Sequence, residues 1–64
     1  MENEVIKIME NMEEQFHEAA QDAVKFAEGN NSAGTRVRKA MQNIKNLAQL
    51  VRIEVQEQKN SVLA

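Results

Sequence analysis

The sequence predicts an all-α fold, an antiparallel hairpin of two helices. Two stretches repeat apolar residues at alternating steps of four and three, the spacing that keeps one stripe along a helix. One short break containing Gly29 separates them. The 64 residues include no Pro, Trp or Cys, and such a composition is typical of helical hairpins and coiled coils. We expect one domain, with helices over about 2–27 and 32–60 joined by a turn at 28–31.

The first predicted helix carries an apolar stripe that keeps its spacing over three heptads. The stripe consists of Val5, Met9, Met12, Phe16, Ala19, Ala23 and Phe26. Acidic residues fill the early turns and Lys25 lies near the end, a distribution that complements the helix dipole. Because Phe16 and Phe26 occupy stripe positions, we expect both rings to be buried against the second helix.

The predicted turn combines a helix-ending residue with a helix-capping residue. Gly29 can take the left-handed backbone conformation that ends a helix, and Asn30 and Asn31 favour turns. Ser32 is then expected to be the N-cap of the second helix. A connection this short makes the two helices antiparallel neighbours.

The second predicted helix carries an apolar stripe and, beside it, a row of cations. The stripe consists of Val37, Met41, Ile44, Ala48, Val51 and Val55. Another set recurs every seven residues, nearly two helical turns, and therefore forms one column along the helix. This cationic column consists of Arg38, Lys45, Arg52 and Lys59.

Several apolar residues fall outside both stripes and need another surface to cover them. They are Ile6, Ile8, Val24, Leu47, Leu50 and Ile53. A chain of 64 residues buries little on its own, and short helices gain most of their stability from packing against other helices. We therefore expect self-association, as a dimeric four-helix bundle.

Charge is divided unequally between the two halves of the chain. Residues 1–31 hold two Lys and eight acidic residues, whereas residues 32–64 hold six Lys or Arg and two Glu. Their net charges are therefore −6 and +4, which together give the chain's −2. Such asymmetry indicates that the halves attract each other, that one binds a nucleic acid, or both.

Little in the sequence supports catalysis or a cofactor. Glu14 and His17 have the Glu-x-x-His spacing of metal-binding helical bundles, but Phe16 takes the stripe position and turns both outward. No glycine-rich phosphate loop follows a strand, and no nucleophile has a suitable base. We expect no enzyme, small-molecule substrate, cofactor or metal. The lack of a secretory segment, a membrane-spanning run and any cysteine predicts a cytoplasmic protein.

The start of the second helix is the strongest candidate for a binding site. A helix N-terminus offers backbone N–H groups and partial positive charge, which suit a phosphate. Gly34 allows close approach, and Arg36 and Lys39 add charge there. The alternative interpretation is a solvated face that offsets the acidic first helix. No recognition-helix motif or aromatic platform is present to read bases.

Residues 33–42, AGTRVRKAMQ, with further matches as far as Lys59 and Asn60, resemble the bacterial histone H1-like Hc1 family. The resemblance covers residues 29–60 and implies a nucleoid-associated, DNA-binding protein. We interpret the chain as a short member without the Lys/Ala-rich C-terminal tail. The DNA-binding residues that the resemblance implies are Gly34, Thr35, Arg36, Arg38 and Lys39, with Lys45 and Arg52 as weaker additions.

The leading hypothesis is a homo-oligomer, expected to be a dimer, that binds the phosphate backbone of DNA without sequence specificity. The rival hypothesis is a non-enzymatic helical module that mediates oligomerisation or interaction and binds no nucleic acid. Binding to a membrane surface ranks third, because the apolar stripes are assigned to the core and no aromatic interfacial anchor is present.

Overall fold

The protein is a single helical hairpin. Its computed structural model describes residues 3–63, with side chains described for residues 3–61. Helix α1 spans Glu4–Ala27 and helix α2 spans Asn31–Leu63. The two helices pack side by side and antiparallel, in a body 53 Å long, 20 Å wide and 11 Å thick. Since 11 Å is the diameter of one helix, the hairpin is a single layer.

The start of α1 is capped and also joined to α2. Asn3 precedes the first helical residue, and its side-chain oxygen accepts a hydrogen bond from the Val5 backbone N–H at 2.7 Å. The same side-chain amide exchanges two hydrogen bonds with the amide of Gln58, at 2.9 and 3.2 Å. These bonds set the height at which the two helices align at the open end of the hairpin.

Backbone hydrogen bonds around Gly29 end α1. Gly29 has φ 105°, a conformation that residues with a Cβ atom rarely adopt. The Asn30 N–H donates to the Lys25 carbonyl and the Gly29 N–H donates to the Phe26 carbonyl, both at 3.0 Å. This pair of bonds is the Schellman ending of a helix, so Gly29 ends α1 as predicted.

The N-cap of α2 is Asn30, and the prediction that Ser32 caps the helix is wrong. The Ala33 N–H donates to the side-chain oxygen of Asn30 at 3.1 Å and to its carbonyl oxygen at 3.2 Å. Asn and Ser cap helices about equally well, so residue type does not decide between them. The Schellman ending of α1 determines the position of the cap. Gly29 and Asn30 both take part in that ending, so α2 begins at Asn31 and Asn30 is the residue that directly precedes it.

The two helices shield each other along one line of residues, many of them small or polar. On α1 these residues are Val5, Ile8, Met12, Gln15, Ala19 and Asp22. On α2 they are Ala33, Gly34, Val37, Ala40, Ile44, Leu47, Ala48, Val51, Glu54 and Gln58. Within residues 3–61, only Ala19 and Ala33 are fully buried. The hairpin therefore has a line of contact and almost no enclosed core.

Four of the seven residues of the α1 stripe and two of the six residues of the α2 stripe are exposed, which corrects the predicted packing. Phe16 and Phe26, expected to be buried, are 62% and 53% exposed. Met9, Met41 and Val55 are exposed as well. The contact line of α1 follows residues 5, 8, 12 and 15, whereas its apolar stripe follows 5, 9, 12 and 16. The stripe is therefore turned by roughly 50° away from the neighbouring helix, at 100° per residue.

The same rotation changes the set of residues that lie outside the helix contact. Ile8 and Leu47, assigned outside the stripes, are half-buried between the helices. Ile6, Val24 and Leu50 are exposed, as expected, and so is Ile53. The uncovered apolar surface is thus larger than predicted, because it gains the aromatic rings.

Replacing the cap of α2 tests its assignment. Asn30→Ala removes the oxygen that accepts from the Ala33 N–H, and we expect it to lower the free energy of unfolding by about 1 kcal/mol. Ser32→Ala is the matched control, because Ser32 is exposed in the first turn of α2, and it should leave the stability nearly unchanged. Urea unfolding followed by circular dichroism measures both. Equal losses would contradict the cap at Asn30.

Candidate nucleic-acid interface

One broad surface of the hairpin is apolar and uncovered. In an antiparallel helix pair, equivalent heptad positions of the two helices flank the contact line on the same side. On one side these are Met9, Phe16 and Ala23 of α1 and Gly34, Met41, Ala48 and Val55 of α2. A hollow there is lined by Met9, Met12, Phe16 and Ile44, together with Glu13, His17 and Ala20. We call this surface, including the ring of Phe26, the apolar face.

The opposite broad surface is polar and carries an ion pair between the helices. Both Nη2 and Nε of Arg36 lie 3.0 Å from Oδ1 of Asp22. Glu18, Lys39 and Asn43 line the hollow around this pair. The Arg36 side chain is half exposed, so solvent screens the pair, which contributes about 0–1 kcal/mol. Its main effect is to align the helices near the turn.

Gly34 is required by the packing of Phe26. A Cβ atom added to Gly34 would lie 2.6 and 2.8 Å from two carbon atoms of the Phe26 ring, well inside van der Waals contact. The ring can therefore rest on α2 only where the helix has no side chain. Sequence reasoning missed this role, because Phe26 and Gly34 meet only after the turn has folded.

The residues at the start of α2 that were predicted to bind DNA lie on different sides of the helix. Thr35 and Arg38 line a hollow next to Phe26, beside the apolar face. Arg36 and Lys39 line the hollow of the polar surface. The structure therefore separates Arg38 from Arg36, and it engages Arg36 with a carboxylate of α1.

The cationic column lies along the exposed side of α2 that points away from α1. Arg38, Lys45, Arg52 and Lys59 are all exposed, and they span about 30 Å at 1.5 Å per residue. Neutral polar side chains run next to the column at the same seven-residue spacing. They are Thr35, Gln42, Gln49 and Gln56, all exposed. We call this surface, with Lys39 at its other edge, the outer face of α2.

The outer face of α2 contains no carboxylate within the described residues. The sequence has no Asp or Glu between Glu28 and Glu54. Glu54 is half-buried toward α1 and accepts a hydrogen bond from Gln58 at 3.3 Å. Glu57 lies on the side of the polar surface. A polyanion that approaches the outer face therefore meets cations and neutral side chains, including the Thr35 hydroxyl and Ile53, and no carboxylate within the described residues.

Comparison with known families assigns the chain. Residues 6–61 match the family described as Histone H1-like protein Hc1. The chain belongs to this family. The match covers both helices and the turn, and membership in a histone H1-like family indicates a DNA-binding protein of the nucleoid. Comparisons with curated proteins and with solved structures gave no significant match.

The part of this Hc1 family member that the structure describes contains neither a membrane-spanning helix nor a cluster of metal ligands. Neither helix, over the residues described, has an apolar stretch long enough to cross a bilayer. In the same residues, no three His, Cys, Asp or Glu side chains lie together in a position to hold a metal ion.

The contact between Phe26 and Gly34 in this Hc1 family member can be tested by a double-mutant cycle. Gly34→Ala should raise the free energy of unfolding by about 1 kcal/mol, because Ala favours a helix more than Gly does. In the parent this gain is offset, because the new Cβ atom displaces the Phe26 ring. In a Phe26→Ala background, the same change should raise the free energy of unfolding by the full amount. Urea unfolding measures the coupling.

The matched control for this cycle combines Gly34→Ala with Phe16→Ala. The atoms nearest to a Cβ atom added at Gly34 belong to Phe26 and not to Phe16. The effects of Gly34→Ala and Phe16→Ala on the free energy of unfolding should therefore add. Additive effects for Phe26 as well would show that its ring does not rest on Gly34 in solution.

Proposed function

We propose that this Hc1 family protein binds duplex DNA without sequence specificity, through the outer face of α2. The observation that carries the proposal is the exposed cationic column on a surface without carboxylates. Lys and Arg side chains that neutralise phosphates release counterions, and this release supplies the affinity of non-specific DNA binding. The net charge of −2 does not oppose this, because the acidic residues belong mainly to α1.

The dimensions of the outer face suit a duplex backbone. Successive cations of the column lie about 10 Å apart, and the whole column is about as long as one turn of B-DNA, roughly 34 Å. The neutral amides of Gln42, Gln49 and Gln56 can donate hydrogen bonds to phosphate oxygens. The outer face carries no aromatic ring in the described residues, which favours backbone contacts over base stacking.

The candidate residues differ in how freely they can contact phosphate. Arg38, Lys45 and Arg52 belong to the exposed column, and we assign them the main role. Thr35 lies in the row next to the column, and Lys39 lies at the opposite edge of the outer face. Gly34 and Arg36 are assigned secondary roles, because Gly34 lies under the Phe26 ring and Arg36 is paired with Asp22.

The same proposal includes self-association through the apolar face, as a homodimer. The broad surface of the hairpin is about 53 Å by 20 Å, and the apolar face is its central part, so the area that a second copy could cover is of the same order as the roughly 800 Å² per partner of a standard interface. Exposed Phe and Met side chains on a single helical layer are costly in water unless they are covered. Such a dimer would be a non-enzymatic structural protein of the nucleoid, located in the cytoplasm.

The rival function is an interaction module that binds no nucleic acid. The pairing of Arg36 with Asp22 favours this rival, because it shows one cation of α2 offsetting the acidic α1. The four residues of the cationic column and Lys39 form no ion pair of that kind within the described residues. DNA binding accounts for their position, and the rival does not.

The function of the column is tested by two double variants of equal charge. Lys45→Gln with Arg52→Gln removes two cations from the outer face. Lys7→Gln with Lys25→Gln removes two exposed cations from α1. We expect the first variant to weaken binding to every duplex alike and to reduce the slope of log K against log salt by about 0.9 for each lost contact. The second should leave the slope unchanged.

Fluorescence anisotropy with random duplexes at several salt concentrations measures these slopes. Equal weakening of both double variants would show that net charge acts without a defined surface. A parent protein that binds no duplex at low salt would support the rival function instead.

Self-association is tested by a pair of matched substitutions on α1. Phe16 and Val24 are similarly exposed, at 62% and 59%, but only Phe16 lies on the apolar face. We expect Phe16→Asp to convert the dimer to a monomer and to lower its melting temperature. Val24→Asp should keep the dimer mass in sedimentation equilibrium. A monomeric parent at micromolar concentration would overturn the dimer.

A further inference from the structure

We propose that two copies pack their apolar faces about a two-fold axis parallel to the helices, and that the resulting dimer bridges two DNA duplexes. In this arrangement, α1 of each copy lies on α2 of the other, and both turns lie at one end of the bundle. The inference rests on the self-association and the DNA binding proposed above. It adds the orientation of the copies and its consequence for DNA.

Symmetry leaves two arrangements for copies that pack face to face. A two-fold axis that exchanges two facing surfaces lies in the plane between them. If the axis is parallel to the helices, α1 packs on α2 of the partner. If it is perpendicular to them, α1 packs on α1 and α2 on α2. Both arrangements place neighbouring helices antiparallel, so the helix dipoles do not distinguish them.

The cationic column distinguishes the two arrangements. The column borders the apolar face, as Arg38 shows by lining a hollow with Phe26. A perpendicular axis would bring the columns of both copies together at one edge, and like charges across an interface are unfavourable. A parallel axis places each column against α1 of the partner. The equivalent row of α1 contains Glu13 between the uncharged Ile6 and Ala20.

The heights of the residues match in the parallel arrangement. The contacts of Asn3 with Gln58 and of Asp22 with Arg36 align the two helices at both ends. Interpolation at an equal rise per residue places Glu13 level with about residue 46 of α2. A parallel two-fold axis preserves height, so Glu13 of each copy lies beside Lys45 of the other.

Side-chain sizes also fit at the centre of this interface. By the same interpolation, Phe16 is level with about residue 43 of α2. In the partner it therefore faces the interval between Met41 and Ala48, which lie on the apolar face at equivalent positions. The small Ala48 leaves room for the ring beside the flexible Met41.

The arrangement determines how many duplexes a dimer can hold. With a parallel axis, the two α2 helices occupy diagonal corners of the four-helix bundle, and their outer faces point in opposite directions. Each outer face can then bind a separate duplex. With a perpendicular axis, the two α2 helices would lie next to each other and form one basic surface for a single duplex.

One distance decides between the arrangements. The chain has no cysteine, so Asn31→Cys creates a single site for a spin label next to the turn, at an exposed position. We expect a distance of about 20 Å between the two labels of a dimer by pulsed electron paramagnetic resonance, because the turns share one end. About 40 Å, roughly the length of the shorter helix, would overturn the arrangement. The labelled Phe16→Asp monomer, as control, should show no defined distance.

A charge exchange tests the pairing of Glu13 with Lys45. Glu13→Lys and Lys45→Glu should each raise the dimer dissociation constant several-fold in sedimentation equilibrium. The variant with both changes should recover most of the loss, because each copy again places opposite charges side by side. If the free-energy losses of the two single variants add in the double variant, Glu13 and Lys45 are not paired across the interface.

Bridging is measured by the capture of a labelled duplex on an immobilised one. We expect capture with the parent protein and none with Phe16→Asp, which still binds the immobilised duplex through its outer face. A dimeric parent that binds DNA without capturing a second duplex would overturn bridging. The inference fails separately from the proposed function, because the label distance requires no DNA and anisotropy requires no second duplex.

Discussion

Two packed helices share one line of contact, and that line cannot cover all the apolar side chains of this sequence. Many residues of the contact are small or polar, and within residues 3–61 only Ala19 and Ala33 are buried. The largest group of uncovered apolar residues lies on the apolar face, where Phe16 and Phe26 are more than half exposed, whereas Val24, Leu50 and Ile53 are exposed on other sides. The layer therefore leaves an apolar surface that the hairpin itself does not cover, and the proposed dimer would cover it.

The same geometry distributes charge around α2. One side of α2 packs against α1, a second belongs to the apolar face and a third belongs to the polar surface. The outer face is the remaining side, which points away from α1. The cationic column forms the edge of the outer face that borders the apolar face. Its cations are thus close to any surface that covers the apolar face and still accessible to a polyanion from outside. In the proposed function, this position would connect self-association and DNA binding through a single helix.

The sequence predicted both helices, their antiparallel pairing and the glycine that ends α1, because these follow from local periodicity and turn chemistry. It did not predict the side of α1 on which α2 packs. The stripe through Phe16 shows that one face of α1 is apolar. The spacing of its residues does not show whether α2 or another surface covers that face. For the same reason, the placement of Arg36 beside Asp22 and of Phe26 over Gly34 required the folded turn. The exposed column was predictable, because a seven-residue spacing keeps its residues aligned wherever the partner helix lies.

Because the hairpin is a single thin layer, the stability of the proposed dimer would depend on the concentration of the protein. A hairpin that buries only two alanines among its described side chains has little to offset the conformational entropy of ordering its chain, so in the proposed homodimer the covering of the apolar face would supply much of the stability. In such a homodimer, stability rises with protomer concentration, and while monomers predominate, doubling the protein increases the dimer about fourfold. The coverage of DNA would then respond to gene dosage more steeply than in proportion, without any regulatory ligand.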